Sequence, residues 1–201
     1  DEYERLVTEP PSGSDEDLSR RQQVARDTQL AALRLSQVKR GSDPSDSIGG
    51  VSFRHLAMLA QIKSNDGDIW ASLRKSGHLD GDPSDALGGW LRRMRNWVDG
   101  PHFPDGARVE VQKGLSEEAQ ANLTSEHRGF LSSLCVALSD CDWNDKAIGD
   151  IIRSVAAESG IGGRDSYVAL YWAILGKNHG PKVASIIAEM KREQLLALIS
   201  E

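Results

Sequence analysis

The stretch SYVALYWAILGKNHGPKVASII, residues 166–187, has the pattern of two helices joined by a turn. Its first half repeats apolar residues three or four positions apart, which is the spacing of one buried helix face. Gly176 predicts the end of that helix, because glycine readily adopts the positive φ that a helix C-terminus often needs. The polar turn 177–179 follows, and Pro181 predicts the start of the next helix, since proline suits the first helical position. We therefore expect two helices joined by a short cationic turn.

The rest of the chain repeats the same pattern of apolar helices separated by breakers. Pro, Gly and Ser residues at 10–13, 41–50 and 100–106 interrupt the helical spacing. The helix expected over 15–39 has a thin apolar stripe in a polar surround, which indicates a peripheral position. Only 108–112 alternates like a strand, and it is too short to found a sheet. The prediction is an all-α fold of eight to ten helices in two packed helical subdomains.

Capping residues predict where these helices begin, because Ser, Thr and Asn side chains accept hydrogen bonds from the first unpaired N–H groups of a helix. Proline and acidic residues also favour the first turn. The predicted starts are Ser14, Ser52, Pro83, Ser116 or Thr124, Asn144, and Asp165 or Ser166. The helix that follows Pro181 is predicted to run to Ile199.

Composition limits the class of protein. The 201 residues have a net charge of -6 and 39% hydrophobic residues, and no apolar run reaches the roughly 18 residues of a membrane span. The two cysteines, Cys135 and Cys141, do not suggest a disulfide scaffold, and the scattered histidines do not suggest a metal site. We expect a cytoplasmic location. Because the chain begins within helix-like sequence, it also suggests a piece of a longer protein.

The sequence contains no recognisable catalytic constellation. There is no phosphate-binding glycine loop of the P-loop type, no dinucleotide-binding glycine motif and no nucleophile elbow. His55 and His179 have no carboxylate at a spacing that would orient either imidazole as an acid or base. Asp140, Asp142 and Asp145 lack the glycine and distal glutamate of an EF-hand. We predict no catalytic residue and no metal ligand in this chain.

Basic residues interleaved with aromatic ones are the chemical signal that remains. Single-stranded RNA is held by aromatic or Arg planes that stack on its bases and by cations that hold its phosphates. Three clusters have this composition: 53–55, 90–97, and 177–192. Trp90, in the second cluster, and Trp172, just before the third, favour a core position. The arginines of the second cluster, Arg92, Arg93 and Arg95, fit a solvated helix face and an RNA-binding face equally well.

Four segments, in the right order, resemble class I lysyl-tRNA synthetases. The hairpin with its LGKNHGP turn resembles the LLG-K-x-x-GP segment near the C-terminal end of that family. VSFRHLAMLAQI resembles the family's FRHL helix, RNWV resembles its A-R-N-W segment, and DEYERL resembles its D-Y-x-R-x-E segment. The resemblance spans essentially the whole chain, although residues 10–50 and 80–90 follow the family's pattern only loosely.

This resemblance implies an α-helix cage, like that of glutamyl-tRNA synthetases, which holds the tRNA anticodon. Residues 1–100 would be a stem-contact and connecting region with the first part of the cage, and 101–201 the C-terminal anticodon-binding subdomain. The full-length enzyme would be a lysine–tRNA ligase that uses ATP and a divalent cation, neither of which this part would bind. Its partners would be lysine tRNA and its own N-terminal catalytic domain, without membrane or DNA.

The residues expected to contact tRNA combine the clusters with the resembling segments. They are Phe53, Arg54, His55, Arg92, Arg95, Trp97, Lys177, His179 and Lys182. Three alternatives stay open from the sequence. The chain could be a helical protein-interaction or regulatory module derived from a synthetase, the equivalent domain of a glutamyl-tRNA synthetase, or a free-standing enzyme.

Overall fold

The computed structural model of the chain describes residues 5–6, 17–36 and 51–200. Ten α-helices have their bounds within these ranges, and none of the described residues forms a strand, so the all-α prediction is confirmed. The helices are α1 Arg20–Ser36, α2 Phe53–Ile62, α3 Asp66–Lys75, α4 Asp85–Val98, α5 Glu117–Asn122, α6 Ser125–Leu138, α7 Asp145–Ser159, α8 Gly163–Leu175, α9 Val183–Glu189 and α10 Arg192–Ile199. A 3-10 turn lies at Asp105–Ala107. No helix in the described part of the chain is long and apolar enough to cross a bilayer.

Most predicted caps are confirmed by side-chain hydrogen bonds. The Ser52 hydroxyl accepts from the His55 N–H at the start of α2, and the Asn144 side chain accepts from the Ala147 N–H at the start of α7. Ser116 and Thr124 each cap a helix of their own, α5 and α6. At the other end of α8, Gly176 has a φ of 65°, the left-handed conformation that its position predicted.

Two predicted helix starts in the first half of the chain are displaced. The helix predicted over 15–39 begins at Arg20, after Ser19, whose backbone N–H donates to Gln22 Oε1 at 3.0 Å. Its predicted cap Ser14 and residues 37–39 lie outside the described residues. Pro83 does not start α4, because the Ser84 hydroxyl accepts from the Leu87 N–H and makes Ser84 the cap.

The starts around the hairpin also differ from the prediction. Helix α8 begins at Gly163 rather than at Asp165 or Ser166, so Asp165 occupies the first turn, where its charge complements the helix dipole. Pro181 does not begin a helix, since α9 starts at Val183. The Pro181 carbonyl instead accepts a hydrogen bond from the Tyr171 hydroxyl at 2.7 Å, which holds this segment against α8.

The last predicted helix is broken in two at Met190. The Met190 backbone is extended, with φ −84° and ψ 159°, and separates α9 from α10. Its side chain is buried, and its carbonyl accepts from Trp143 Nε1 at 2.9 Å. The Trp143 indole, 47 residues away, thus pairs with the Met190 carbonyl, which would bond within the helix if the helix were unbroken.

The core is one cluster of buried apolar side chains contributed by α2 to α10. Within the hairpin, Trp172, Leu175 and Ile186 are buried, as their spacing predicted. Trp90 is half-buried against the same core. Buried residues on both sides of position 100 belong to this cluster, and the division into 1–100 and 101–201 stays a prediction.

The segment after the 3-10 turn connects α2 with α8. Its Val109 N–H donates to Gln61 Oε1 at 2.7 Å, and its Gln112 N–H donates to the Ile174 carbonyl at 2.8 Å. Gln112 Nε2 also donates to the Trp172 carbonyl at 2.8 Å. The strand-like residues 108–112 are therefore an extended tether that satisfies the C-terminal carbonyls of α8.

Candidate nucleic-acid interface

A cavity of about 750 Å³ opens where the start of α2, the end of α3 and the start of α7 meet the segment that leads into α9. We call it the basic cleft because five Lys or Arg side chains and two histidines line it. These are Arg54, Lys75, Lys146, Arg153, Lys182, His55 and His78. Only two carboxylates share the lining, those of Asp145 and Glu189.

Both carboxylates of the basic cleft are already paired within the protein. Glu189 Oε2 lies 2.8 Å from Lys63 Nζ and accepts from the Ser72 hydroxyl at 2.6 Å. Asp145 Oδ1 lies 2.7 Å from Lys182 Nζ, and its Oδ2 accepts from the Ser185 hydroxyl at 2.6 Å. The remaining cations therefore set the sign of the charge that the cleft presents to a ligand.

The pKa of Asp145 reflects these contacts. Partial burial by itself would raise the pKa, but hydrogen bonds from Lys182 and Ser185 outweigh it and bring the pKa below the ordinary value. Asp145 is therefore ionised at neutral pH and compensates Lys182, which leaves the lysines elsewhere in the cleft uncompensated.

Two stacked imidazoles form part of the cleft wall. The rings of His55 and His78 lie 4.9 Å apart at 20°, and His78 Nδ1 is 2.8 Å from the Ser76 hydroxyl. Burial, followed by the nearby His78, lowers the pKa of His55, so its neutral form is favoured. His55 Nε2 is buried and has no hydrogen-bond partner among the described residues.

An aromatic band lies beside the start of α2 and comprises Phe53, Trp97 and Phe103. The ring centres of Phe53 and Trp97 are 5.5 Å apart, and those of Trp97 and Phe103 are 4.6 Å apart with the rings nearly perpendicular. Phe53 and Trp97 remain 37% and 38% exposed, whereas Phe103 is buried. The guanidinium of Arg108 lies 5.4 Å from the centre of the Phe103 ring. The band therefore offers two accessible aromatic rings beside a cation.

The cationic turn of the hairpin contributes mainly to structure. Lys177 Nζ donates to the carbonyls of Gly106 at 2.9 Å and of Arg108 at 2.6 Å, and burial lowers its pKa. His179 is exposed, with Nδ1 2.8 Å from Asn178 Oδ1. Lys177 thus anchors the turn to the 105–108 segment, whereas Asn178 and His179 face solvent.

The two candidate arginines of α4 differ in their surroundings. Arg95 donates to Asp66 Oδ1 at 2.8 Å and to the Lys63 carbonyl at 3.3 Å, so it joins the end of α2 to the start of α3. Arg92 is exposed. Their neighbour Arg93 lies 5.2 Å from the centre of the Trp90 ring. Neither Arg92 nor Arg95 lines the basic cleft.

The structure therefore divides the nine candidate residues. Arg54, His55 and Lys182 line the basic cleft, and Phe53 and Trp97 form the exposed part of the aromatic band. Four further residues of the lining were not predicted, because they lie outside the three basic and aromatic clusters of the sequence: Lys75, His78, Lys146 and Arg153. A helical spacing was the available signal for two of them, since Lys146 and Arg153 are seven residues apart on α7.

Comparison with known proteins identifies the family. The family described as "Anticodon binding domain" matches residues 99–201, just over half of the chain. The chain is also similar to a lysine–tRNA ligase of Picrophilus torridus, with 22% identity over 177 residues that cover 88% of the chain and 33% of that protein. A lysine–tRNA ligase of Treponema pallidum is 29% identical over 170 residues, which cover 83% of the chain and 30% of that protein.

A third relative extends the similarity to nearly the whole chain. The lysine–tRNA ligase of Pyrococcus horikoshii is 26% identical over 200 residues, which cover 96% of the chain and 35% of that protein. The chain thus spans about a third of the length of the curated relatives it matches. The resemblance that the FRHL, RNWV and LGKNHGP segments indicated is confirmed, and the chain belongs to the anticodon-binding domain family.

Proposed function

We propose that this chain binds the anticodon of a tRNA, as the helical part of a class I lysyl-tRNA synthetase. The observation that carries the proposal is the position of the family match. Residues 99–201 match the anticodon-binding domain, and residues 143–189 within that range supply one wall of the basic cleft. The other wall comes from α2 and α3, where the FRHL segment lies.

The geometry supports RNA binding despite the negative net charge. Phosphate binding depends on the cations that face the RNA, because each neutralised phosphate releases condensed counterions whatever the charge elsewhere. The basic cleft concentrates such cations, and its two carboxylates are compensated internally. The aromatic band provides rings on which unstacked anticodon bases can stack.

The nine candidate residues then take different roles. Arg54, His55 and Lys182 would contact RNA in the basic cleft, and Phe53 and Trp97 would stack on bases. Arg92 and His179 would contact phosphates at the margins of the interface. Arg95 and Lys177 would act indirectly, since their contacts with Asp66 and with backbone carbonyls hold the surrounding segments in place.

The parent enzyme that follows from this proposal joins lysine to tRNA. Its catalytic domain would lie in the two thirds of the relatives' length that this chain does not span, and would use ATP with a divalent cation. We place it in the cytoplasm, with lysine tRNA and that catalytic domain as its partners. The chain itself would bind and discriminate RNA without catalysing a reaction.

The test is the affinity of the chain for lysine tRNA and for the same tRNA with an altered anticodon, measured by fluorescence anisotropy at low and moderate salt. We expect tighter binding to the natural anticodon and weaker binding as salt rises. Equal affinity for both tRNAs would reject anticodon recognition. No binding at low salt would favour the protein-interaction module, a reading that agrees with the net charge of -6.

Arg92→Ala and Lys113→Ala make a matched pair of charge-removing variants for this test. Both side chains are exposed and neither lines the basic cleft, but only Arg92 belongs to the candidate interface. The proposal predicts a weaker complex for Arg92→Ala and wild-type affinity for Lys113→Ala. Equal losses would mean that binding depends on overall charge alone.

A further inference from the structure

We propose that Asp145 is an internal competitor of RNA in the basic cleft. Its carboxylate occupies the place on Lys182 that an RNA phosphate takes on binding, and it thereby lowers the affinity of the cleft for RNA of any sequence. This inference rests on the proposed function. It gives Asp145 a role beyond the start of the helix in which it lies.

The two carboxylates of the basic cleft differ in their access to a ligand. The pair of Glu189 and Lys63 is mostly shielded, with side chains 10% and 20% exposed. Asp145 and Lys182 are 39% and 71% exposed, and Lys182 Nζ lies 2.7 Å from Asp145 Oδ1. An exposed pair of this kind contributes little net stability, because water solvates both charges when they separate. Lys182 can therefore exchange this carboxylate for another anion at small cost.

Asp145 keeps other partners when Lys182 changes its own. Asp145 Oδ2 accepts from the Ser185 hydroxyl at 2.6 Å, and this bond does not involve the lysine. Asp145 is also the first residue of α7, where the positive end of the helix dipole stabilises a negative charge. The carboxylate therefore stays in place after the exchange, and a phosphate on Lys182 lies beside a fixed negative charge.

A phosphate is the anion that the proposed function brings to Lys182. The ammonium group has three N–H donors on a flexible stem, so it can turn from one anionic oxygen to another. Lys146, an exposed lysine of the same lining, adds to the positive field that a phosphate meets. Because Asp145 opposes a phosphate rather than a base, its cost is the same for every RNA sequence.

The experiment compares wild type with Asp145→Asn, which retains an acceptor for Ser185 and removes only the charge. Fluorescence anisotropy gives their affinities for lysine tRNA, with the natural or an altered anticodon, over a range of salt concentrations. We expect Asp145→Asn to bind about three- to tenfold tighter at low salt, by the same factor for both anticodons. Its plot of log affinity against log salt should be steeper by about 0.7, the value for one phosphate contact on a single strand.

Three variants control for other effects of charge. Glu158→Gln removes a carboxylate 13 residues further along α7, about 20 Å away at 1.5 Å per residue, and salt should screen it so that the affinity is unchanged. The double variant Asp145→Asn, Lys182→Met should bind no tighter than Lys182→Met alone. Lys182→Met should also weaken binding less than Lys146→Met does, since Lys182 first has to give up its carboxylate.

The outcomes separate this inference from the proposed function. Unchanged or weaker binding by Asp145→Asn, or the same gain in the Lys182→Met background, would overturn the inference and leave anticodon recognition standing. A gain in Asp145→Asn without any preference for the natural anticodon would support the inference and reject anticodon recognition.

Tripolyphosphate decides the inference if neither form binds tRNA, a result that rejects the proposed function. Its binding is followed by nuclear magnetic resonance of the Lys182 side chain. Tighter binding to Asp145→Asn than to wild type supports the exchange at Lys182, and equal binding or none overturns it.

Discussion

The ion pair between Lys63 and Glu189 connects two distant parts of the fold. Lys63 follows the last residue of α2, and Glu189 is the last residue of α9. Their charged atoms are 2.8 Å apart, and the side chains are 20% and 10% exposed. Glu189 also accepts from the Ser72 hydroxyl of α3 at 2.6 Å. The pair therefore links α2 and α3 to the hairpin in a mostly dry environment.

We predict that Glu189→Ala lowers the free energy of unfolding by about 2–3 kcal/mol. Breaking a buried ion pair by removing one partner typically costs about 3–5 kcal/mol, because the other charge stays behind uncompensated. Two features of this site place the expected loss at or below the lower end of that range. The pair retains some solvent contact, and Lys63 Nζ also donates to the Glu189 backbone carbonyl at 3.1 Å, a bond that the substitution preserves.

The assay is urea unfolding at pH 7, followed by circular dichroism, for three variants and the wild-type chain. Glu189→Gln keeps an acceptor for Ser72 and should lose less stability than Glu189→Ala. The double variant Lys63→Met, Glu189→Leu should recover part of the loss, since no buried charge is then left unpaired. A loss below about 0.5 kcal/mol in Glu189→Ala, the level of an ordinary surface substitution, would mean that the ion pair does not stabilise the fold.

Three further predictions concern residues outside this pair. Arg95→Met should lower the free energy of unfolding, measured with urea, by about 1–2 kcal/mol, because it removes charge-assisted hydrogen bonds. Arg92 is exposed, and Arg92→Met should stay within about 0.5 kcal/mol of wild type. Gly176→Ala should lower the free energy of unfolding by about 1–2 kcal/mol, since the φ of Gly176 is 65° and a Cβ there would lie 3.1 Å from Gln112 Cδ. Gly88→Ala, which has open space around it in α4, should be neutral or stabilising in the same measurement. The lowered pKa of His55 means that the unfolded chain binds this proton more readily than the folded chain. The free energy of unfolding should therefore fall as the pH drops below about 6.5, with a slope of at most about 1.4 kcal/mol per pH unit from this group. Melting temperatures measured from pH 8 to 5 should fall less in His55→Phe than in wild type, and identical profiles would contradict this assignment.

The fold was predictable where local interactions determine it. Ser52 and Asn144 cap helices through backbone groups three residues away, so their sequence positions suffice. Gly176 ends α8 for an equally local reason, its tolerance of positive φ. These signals, with the apolar spacing of the helices, led to the all-α architecture.

The wrong boundaries at Pro181 and Met190 involve side chains elsewhere in the chain. The segment at Pro181 is held by the hydroxyl of Tyr171, on the preceding helix, and the break at Met190 by the indole of Trp143. Neither contact has a spacing that the sequence alone reveals. The interface was likewise only partly predictable, because its walls come from α2, α3, α7 and the start of α9. The clusters located Arg54, His55 and Lys182, but Lys75 and Lys146 join them in the basic cleft only in the folded chain.

We expect the anticodon to lie in the basic cleft, and cross-linking to a labelled tRNA would locate it. A lysine tRNA carrying 4-thiouridine at one anticodon position would be irradiated in complex with the chain, and the cross-linked residues identified by mass spectrometry. We predict cross-links within 52–58, 72–78, 143–153 and 180–189, the segments that line the cleft. Cross-links confined to the groove formed by α6 and the end of α10, around Val136 and Ile199, would place the anticodon outside the basic cleft.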